Sequence, residues 1–196
     1  MTLIAAALLA GCASTFRTSF DAPLSAEVTR GWTVRAVDVT IPDNLVVSDA
    51  DTLVPVADIV WHGDPEGDRR QQVAAILRDG VMEGAASLSG PRPVILQLVL
   101  ERFHGVTPRA VRLAPSAVHN IAYRIRAVDA ASGAALTPWV EVEADLPARV
   151  GAALYADIEA GITEKARIRA HLARVTAAWL GQSTDDPRGT FQSLGR

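Results

Sequence analysis

The 196-residue chain has one cysteine, Cys12, and one lysine, Lys165. A single cysteine excludes an intrachain disulfide, and in an exported chain a lone thiol needs a reason for being there. The other cations are arginines, a usage that a GC-rich genome produces. There are 19 basic against 22 acidic residues, a formal charge of -3. With no surplus of cations to displace counterions from phosphates, no nucleic-acid partner is expected. No apolar run reaches the roughly 20 residues that a bilayer-spanning helix requires. Gly-x-Ser-x-Gly is absent, and Ser87-Leu88-Ser89-Gly90 closes a helical pattern, the wrong context for a nucleophile elbow. There is no phosphate-cradling glycine loop, no cofactor motif, no internal repeat and no sign of a second domain. What remains, 49% hydrophobic and 21% charged residues, is the balance of one globular domain.

The N-terminus carries the sharpest signal. Leu3 to Ala10 is an uninterrupted apolar run of signal-peptide length, and Leu9-Ala10-Gly11-Cys12 matches a lipobox. Small residues let a signal peptidase approach the backbone, and the thiol accepts a diacylglyceryl group. Cleavage would leave Cys12 first, carrying two or three fatty acyl chains such as palmitate. At roughly 0.8 kcal/mol per buried methylene, two chains suffice for stable anchoring. Met1 and Thr2 precede the apolar run without the usual Lys or Arg, so the native start is expected upstream of Met1. Ala13, in place of an inner-membrane-retaining Asp, leans toward the outer membrane, with the domain on the periplasmic side.

Residues 1–11 are thus read as a signal peptide and residues 12–30, rich in Ser, Thr and small side chains, as a lipidated tether. A single domain is expected over 31–181. Val37, Val39 and Ile41 alternate with Asp38 and Thr40 as a half-buried strand. Asp58 to Trp61 reads as a short strand. Asp64-Pro65-Glu66 has the form of a helix start, with Asp64 as N-cap and Pro65 in the first turn. Val73, Leu77, Val81, Ala85 and Leu88 then form one apolar stripe, which Ser89-Gly90-Pro91 stops. Strands are expected over Pro93 to His104, Ala117 to Val128 and Trp139 to Leu146, as an antiparallel meander with one wet face. Gly105 to Pro115 is expected as a loop. Thr163 caps a second helix with Ile168, Leu172, Val175 and Trp179 on one stripe, and Gly181 closes it. Residues 182–196 are polar and expected to be disordered. The fold class that follows is α+β: a two-layer α/β sandwich, mostly antiparallel, with two helices packed on one face of the sheet.

Three groups of side chains invite a chemical reading. His104 shares the parity of Leu96, Leu98 and Leu100, and His119 that of Ile121 and Tyr123, so a hairpin would bring both imidazoles to the core side near the loop. Two neutral imidazoles suit a transition metal. A metal site wants three or four ligands and no spacing supplies the rest, so the plainer reading is a pair of hydrogen-bonded packing histidines. His62-Gly63-Asp64 with Asp68 resembles an acidic turn, but helix capping accounts for it. Glu141, Glu143 and Asp145 alternate on one strand face. Paired carboxylates do acid/base work, yet this spacing is that of a solvated face with Arg124 and Arg126 on the neighbouring strand. Trp32, Trp61, Trp139 and Trp179 fall on different elements, as core or rim residues.

Four segments together carry a resemblance to a known family. They are Asp58-Ile59-Val60-Trp61-His62-Gly63-Asp64-Pro65 with Gly67-Asp68-Arg69; Arg102-Phe103-His104; Val118-His119-Asn120-Ile121; and Arg167-Ile168-Arg169-Ala170-His171-Leu172. Over about residues 30 to 180 the chain resembles an uncharacterised family of alphaproteobacterial lipoproteins. That resemblance implies location and fold, and no activity. The layout is also similar to small auxiliary lipoproteins of envelope lipid transporters, which implies partner binding without an active site. The expectation is therefore a non-catalytic lipoprotein, anchored through Cys12 and binding a protein or lipid partner in the envelope. The alternative is a small metal- or ligand-binding protein built on His104 and His119.

Overall fold

Alternating burial organises the sheet. In the computed structural model, which describes residues 13–194, Val94, Leu96, Leu98 and Leu100 of strand β4 (Arg92–His104) are buried while the residues between them are not. The full element order is β1 (Ala13–Ser19), α1 (Ala26–Thr29), β2 (Trp32–Thr40), β3 (Ile59–Val60), α2 (Arg69–Gly84), β4, α3 (Pro108–Leu113), β5 (Val118–Asp129), β6 (Val140–Ala144), β7 (Leu146–Pro147), α4 (Ala152–Glu159), α5 (Glu164–Trp179) and β8 (Gly189–Leu194). The strands lie side by side in the order β2-β4-β5-β6-β1-β8, with β3 continuing beside β4 and β7 beside β5. The β4-β5-β6 meander is antiparallel as expected, while β2 and β3 run parallel to β4.

Both long helices pack on one face of this sheet. Val73, Leu77 and Val81 of α2 and Ile168, Leu172, Val175 and Trp179 of α5 join the buried faces of β4, β5 and β6 in one core. The two helices approach each other closely because Gly80 and Gly84 offer no side chain there: a Cβ on Gly84 would stand 2.4 Å from the Ala173 carbonyl oxygen. Thr163 caps α5 by accepting the Ala166 amide at 3.1 Å. Its far end is a Schellman turn, Gly181 N–H to Ala178 O at 3.0 Å and Gln182 N–H to Ala177 O at 2.8 Å, which needs the positive φ of 67° that Gly181 adopts.

The start of α2 differs from the expectation. Asp68, not Asp64, is the N-cap and accepts the Gln71 amide at 3.1 Å. Asp64 instead accepts from Trp61 Nε1 at 2.8 Å and from Lys165 Nζ at 2.8 Å, pinning α5 to the chain that leads into α2. Burial pushes the Asp64 carboxyl up, but the Lys165 and Trp61 hydrogen bonds together outweigh it and hold the group below its ordinary value.

Two segments expected to lie outside the domain are part of its sheet. Ala13–Ser19, assigned to a tether over 12–30, is strand β1, and Gly189–Leu194, assigned to a disordered tail over 182–196, is strand β8. They pair antiparallel with each other from Ala13↔Leu194 to Thr18↔Gly189, and β1 joins β6 at Thr18↔Ala144. Phe16 and Phe191 stack across the pair with centroids 5.9 Å apart. The reason is Asp145. Its buried carboxylate accepts the Arg17 amide at 3.0 Å, Asn120 Nδ2 at 2.6 Å and the Ile121 amide at 3.1 Å. Asp145 therefore belongs to the interior and not to the wet row with Glu141 and Glu143. Cys12 and the lipobox lie outside the described residues.

Candidate functional site

The two histidines singled out from the sequence are not brought together. A β-bulge between Leu100 and Arg102 inserts an extra residue into β4. Beyond it Phe103 takes the core side opposite Ile121, and His104 pairs with Asn120. Cross-strand partners share a face, so His104 stands on the face opposite His119. The shared core-side placement expected of His104 and His119 therefore does not hold, and the alternative of a site built on the pair loses its geometry. His104 Nε2 donates to the Pro55 carbonyl at 3.0 Å. His119 is 1% exposed and its Nε2 donates to Glu164 Oε2 at 2.5 Å. Among the described residues no group of three or more His, Cys, Asp or Glu side chains is placed to hold a metal ion.

His119 is one corner of a network that sequence reading missed. Glu164 also binds Arg167 Nη1 at 2.8 Å, and Arg167 Nη2 reaches the Pro147 carbonyl at 3.0 Å. Burial raises the Glu164 carboxyl, but its hydrogen bond and charge contact with His119, joined by Arg167, outweigh that and keep it below the ordinary carboxylate value. Nearby, buried His171 lies 3.3 Å from Thr18 Oγ1, which donates to the Asp145 carbonyl at 3.1 Å. Burial, helped by the charges of Arg174 and Arg167, pushes His171 down to about 4. These groups bind α5 to β1, β5 and β7. Among the described residues no hydroxyl or thiol nucleophile is hydrogen-bonded to His119, and its burial keeps it from solvent. The arrangement is that of an internal clamp.

Arg124 and Arg126, expected to face Glu141, Glu143 and Asp145, take other partners, and Glu143 pairs instead with Arg102 and Arg17. Arg124 Nε lies 3.0 Å from Glu101, Arg102 Nη2 3.2 Å from Glu143, and the Arg126 guanidinium stands 4.5 Å over Trp139. Burial raises the Glu143 carboxyl against the pull of Arg102.

One concave feature is apolar and lies at one end of the sheet. Leu53, Val54, Val106, Ala110, Leu113 and Val118 are among the side chains lining a groove of about 260 Å³ that also touches His104 and Ser116. Its walls are the loop over 51–56 and α3. Thr107-Pro108 starts that helix, with Thr107 Oγ1 capping the Ala110 amide at 3.0 Å. This Thr-Pro signature was readable within the segment expected as loop. The walls are fastened by polar contacts: Thr107 Oγ1 donates to Thr52 O at 2.7 Å and the Arg109 amide to Asp51 Oδ1 at 2.6 Å. Beside the groove apolar side chains are exposed, Val56 at 96% and Leu113 at 62%.

Comparison with known proteins adds a family and little more. A model for a family of unknown function, DUF6778, matches residues 32–196, which include β8 and leave out β1. No curated protein matches. Among solved structures the chain is similar to a "putative lipoprotein" from Caulobacter crescentus CB15, with TM-score 0.37 and 16% identity over 80% of this chain and 95% of that one. A PelC dodecamer from Paraburkholderia phytofirmans gives TM-score 0.37 and 14% identity over 88% of this chain and 99% of that one. A second PelC dodecamer crystal form gives 0.35 and 12%, over 85% and 96%. At these scores nothing about function is transferred.

Proposed function

The chain belongs to the DUF6778 family of unknown function, and we propose that it is a lipid-anchored envelope protein that binds a protein or lipid partner and catalyses nothing. The observation that carries this reading is Leu9-Ala10-Gly11-Cys12 at the end of the Leu3–Ala10 apolar run. In this reading acyl chains on Cys12 hold the domain; among the described residues no helix is long and apolar enough to cross a membrane. His119, His171 and Glu164 fasten α5 to the sheet, and an apolar groove lies open at one end of it, which favours binding over chemistry. The resemblance to alphaproteobacterial lipoproteins and to auxiliary lipoproteins of lipid transporters points the same way, and Ala13 favours the outer membrane.

Fractionation of cells expressing the wild-type chain and Cys12→Ala tests this reading. The wild-type chain is expected in the membrane fraction, the variant in the soluble periplasmic fraction, and globomycin should leave an unprocessed precursor. Unchanged membrane attachment of Cys12→Ala refutes the anchor. Crosslinking from the anchored protein in envelopes then tests partner binding, where capture of no protein or lipid counts against it.

A further inference from the structure

The point where residue 12 joins the domain and the exposed apolar side chains fall at the same end of the sheet. Ala13 opens β1 opposite Leu194, and Ser14 lies opposite Ser193. The Ser193 hydroxyl is 2.8 Å from that of Ser116, on the wall of the apolar groove. The ends of β4 and β7 and the start of β5 lie here too, as His104↔Asn120 and Val118↔Pro147 place them. From this end project Val54, Val56 and Leu113 beside the groove, and Tyr155 and Ile158 on α4, which are 68% and 60% exposed. Helix α4 buries none of its residues, and only Leu154 and Asp157 are partly covered. Arg167, through Pro147 and Asp157, holds α4 beside β7 and the start of α5. Val28, another exposed apolar residue, sits in α1 at the opposite end.

We propose that this end of the domain docks onto the surface of a lipid bilayer, with the loop over 53–56, Leu113, Tyr155 and Ile158 entering the interfacial layer. The inference rests on the reading of Cys12 as lipidated. It follows from geometry: one residue advances the chain by at most about 3.3–3.6 Å, and the strand begins at the residue after Cys12. There is no tether to let the domain stand off. Acyl chains leaving Cys12 draw this end of the sheet against the membrane, and the side chains found there suit that setting. Large apolar side chains exposed together at one end of a domain mark an interaction surface, and tyrosine, apolar in body with a polar tip, is at home at the headgroup level. The charges beside the patch are mixed: the Arg112 guanidinium pairs with the Asp51 carboxylate, which also accepts the Arg109 backbone amide. Docking therefore depends on apolar insertion and not on anionic lipid.

The test uses the lipidated full chain on phosphatidylcholine vesicles. The thiol of Cys12 is consumed by the lipid, so Leu113→Cys, Tyr155→Cys and Val28→Cys each present one thiol for an environment-sensitive dye. Circular dichroism checks that each variant folds. Quenching by nitroxide-bearing lipid is expected to be several-fold stronger at positions 113 and 155 than at 28. Equal quenching at all three positions, with the protein still on the vesicles, overturns the docking and leaves the anchor standing. Shielding of positions 113 and 155 that persists in detergent and scales with protein concentration overturns it in favour of a second copy of the chain. Recovery of the full chain from cells with no lipid on Cys12 removes the anchor and the docking together.

Discussion

Substituting Gly84 by alanine distinguishes a tightly crossed helix pair from two helices that merely share a sheet. In an exposed helix interior, replacing Gly by Ala stabilises by up to about 1 kcal/mol. Gly84 is the last residue of α2, so less than that is available here. Against it, the new Cβ would stand 2.4 Å from Ala173 O, 2.7 Å from Thr176 Cβ and 3.0 Å from Ala173 Cα. Two of these three atoms are backbone, so no side-chain rotation relieves the contact and α5 must shift. Overpacking of this kind costs roughly 1–3 kcal/mol, and the net effect expected is a loss of about 1–2 kcal/mol. For a domain of this size that lowers Tm by roughly 3–6 °C. Gly80→Ala should cost less, since its Cβ would meet Leu172 Cβ at 2.8 Å and Arg169 O at 3.0 Å. Urea unfolding followed by circular dichroism measures both, with a lowered midpoint and an unchanged slope as the signature. A Gly84→Ala midpoint equal to or above wild type would refute the close crossing of α2 and α5.

Three further outcomes are expected. His171 is held neutral by burial down to about 4, so the unfolded chain binds its proton first. The stabilisation is complete above the unfolded value near 6.5 and is lost as pH falls toward 4. A shift of this size is worth about 3 kcal/mol, and His171→Gln should flatten that part of a stability-against-pH curve; an unaltered slope would contradict the burial. Asp145→Ala strands the Arg17 and Ile121 amides and the Asn120 amide group. At roughly 1–3 kcal/mol per unsatisfied buried group it should cost about 3 kcal/mol or more, with fast hydrogen exchange appearing first in β1. Truncation after Asp186 removes β8 and the ring that stacks on Phe16, which should expose β1 to exchange while β4 and β5 remain protected; uniform protection would mean that β8 does not pair there.

How much was legible depended on whether the signal was local. The alternation in β4 and β5, the stripe from Val73 to Val81 in α2 and the Thr163–Gly181 bracket of α5 each lie within one element, and all appear in the structure. Strands β1 and β8 have no such signal. Apart from Phe16, Phe191 and Leu194 their residues are small or polar, and what orders them is pairing across the whole length of the chain together with Asp145. The bulge after Leu100 is likewise invisible in an unbroken Val-Leu-Glu-Arg-Phe run, yet it reverses every side chain beyond it, so His104 moves to the wrong face for a site with His119. Asp64 and Asp68 both satisfy the rule for an N-cap, and Pro65 favoured the first. Trp61 and Lys165, distant in sequence or in element, claim Asp64 instead. The apolar groove was half legible: Thr107-Pro108 announces α3, but the outward turn of the loop over 51–56 arises from Asp51 and Thr52 bonding to residues more than fifty positions away.

The central claim concerns Cys12, and intact-mass and N-terminal peptide mass spectrometry of the protein extracted from native membranes tests it most directly. A lipid-anchored chain yields a mature polypeptide whose first residue is Cys12, with diacylglyceryl on its sulfur and fatty acyl mass released by base. A membrane or soluble species that retains residues 1–11 ahead of a free Cys12 thiol would contradict the claim.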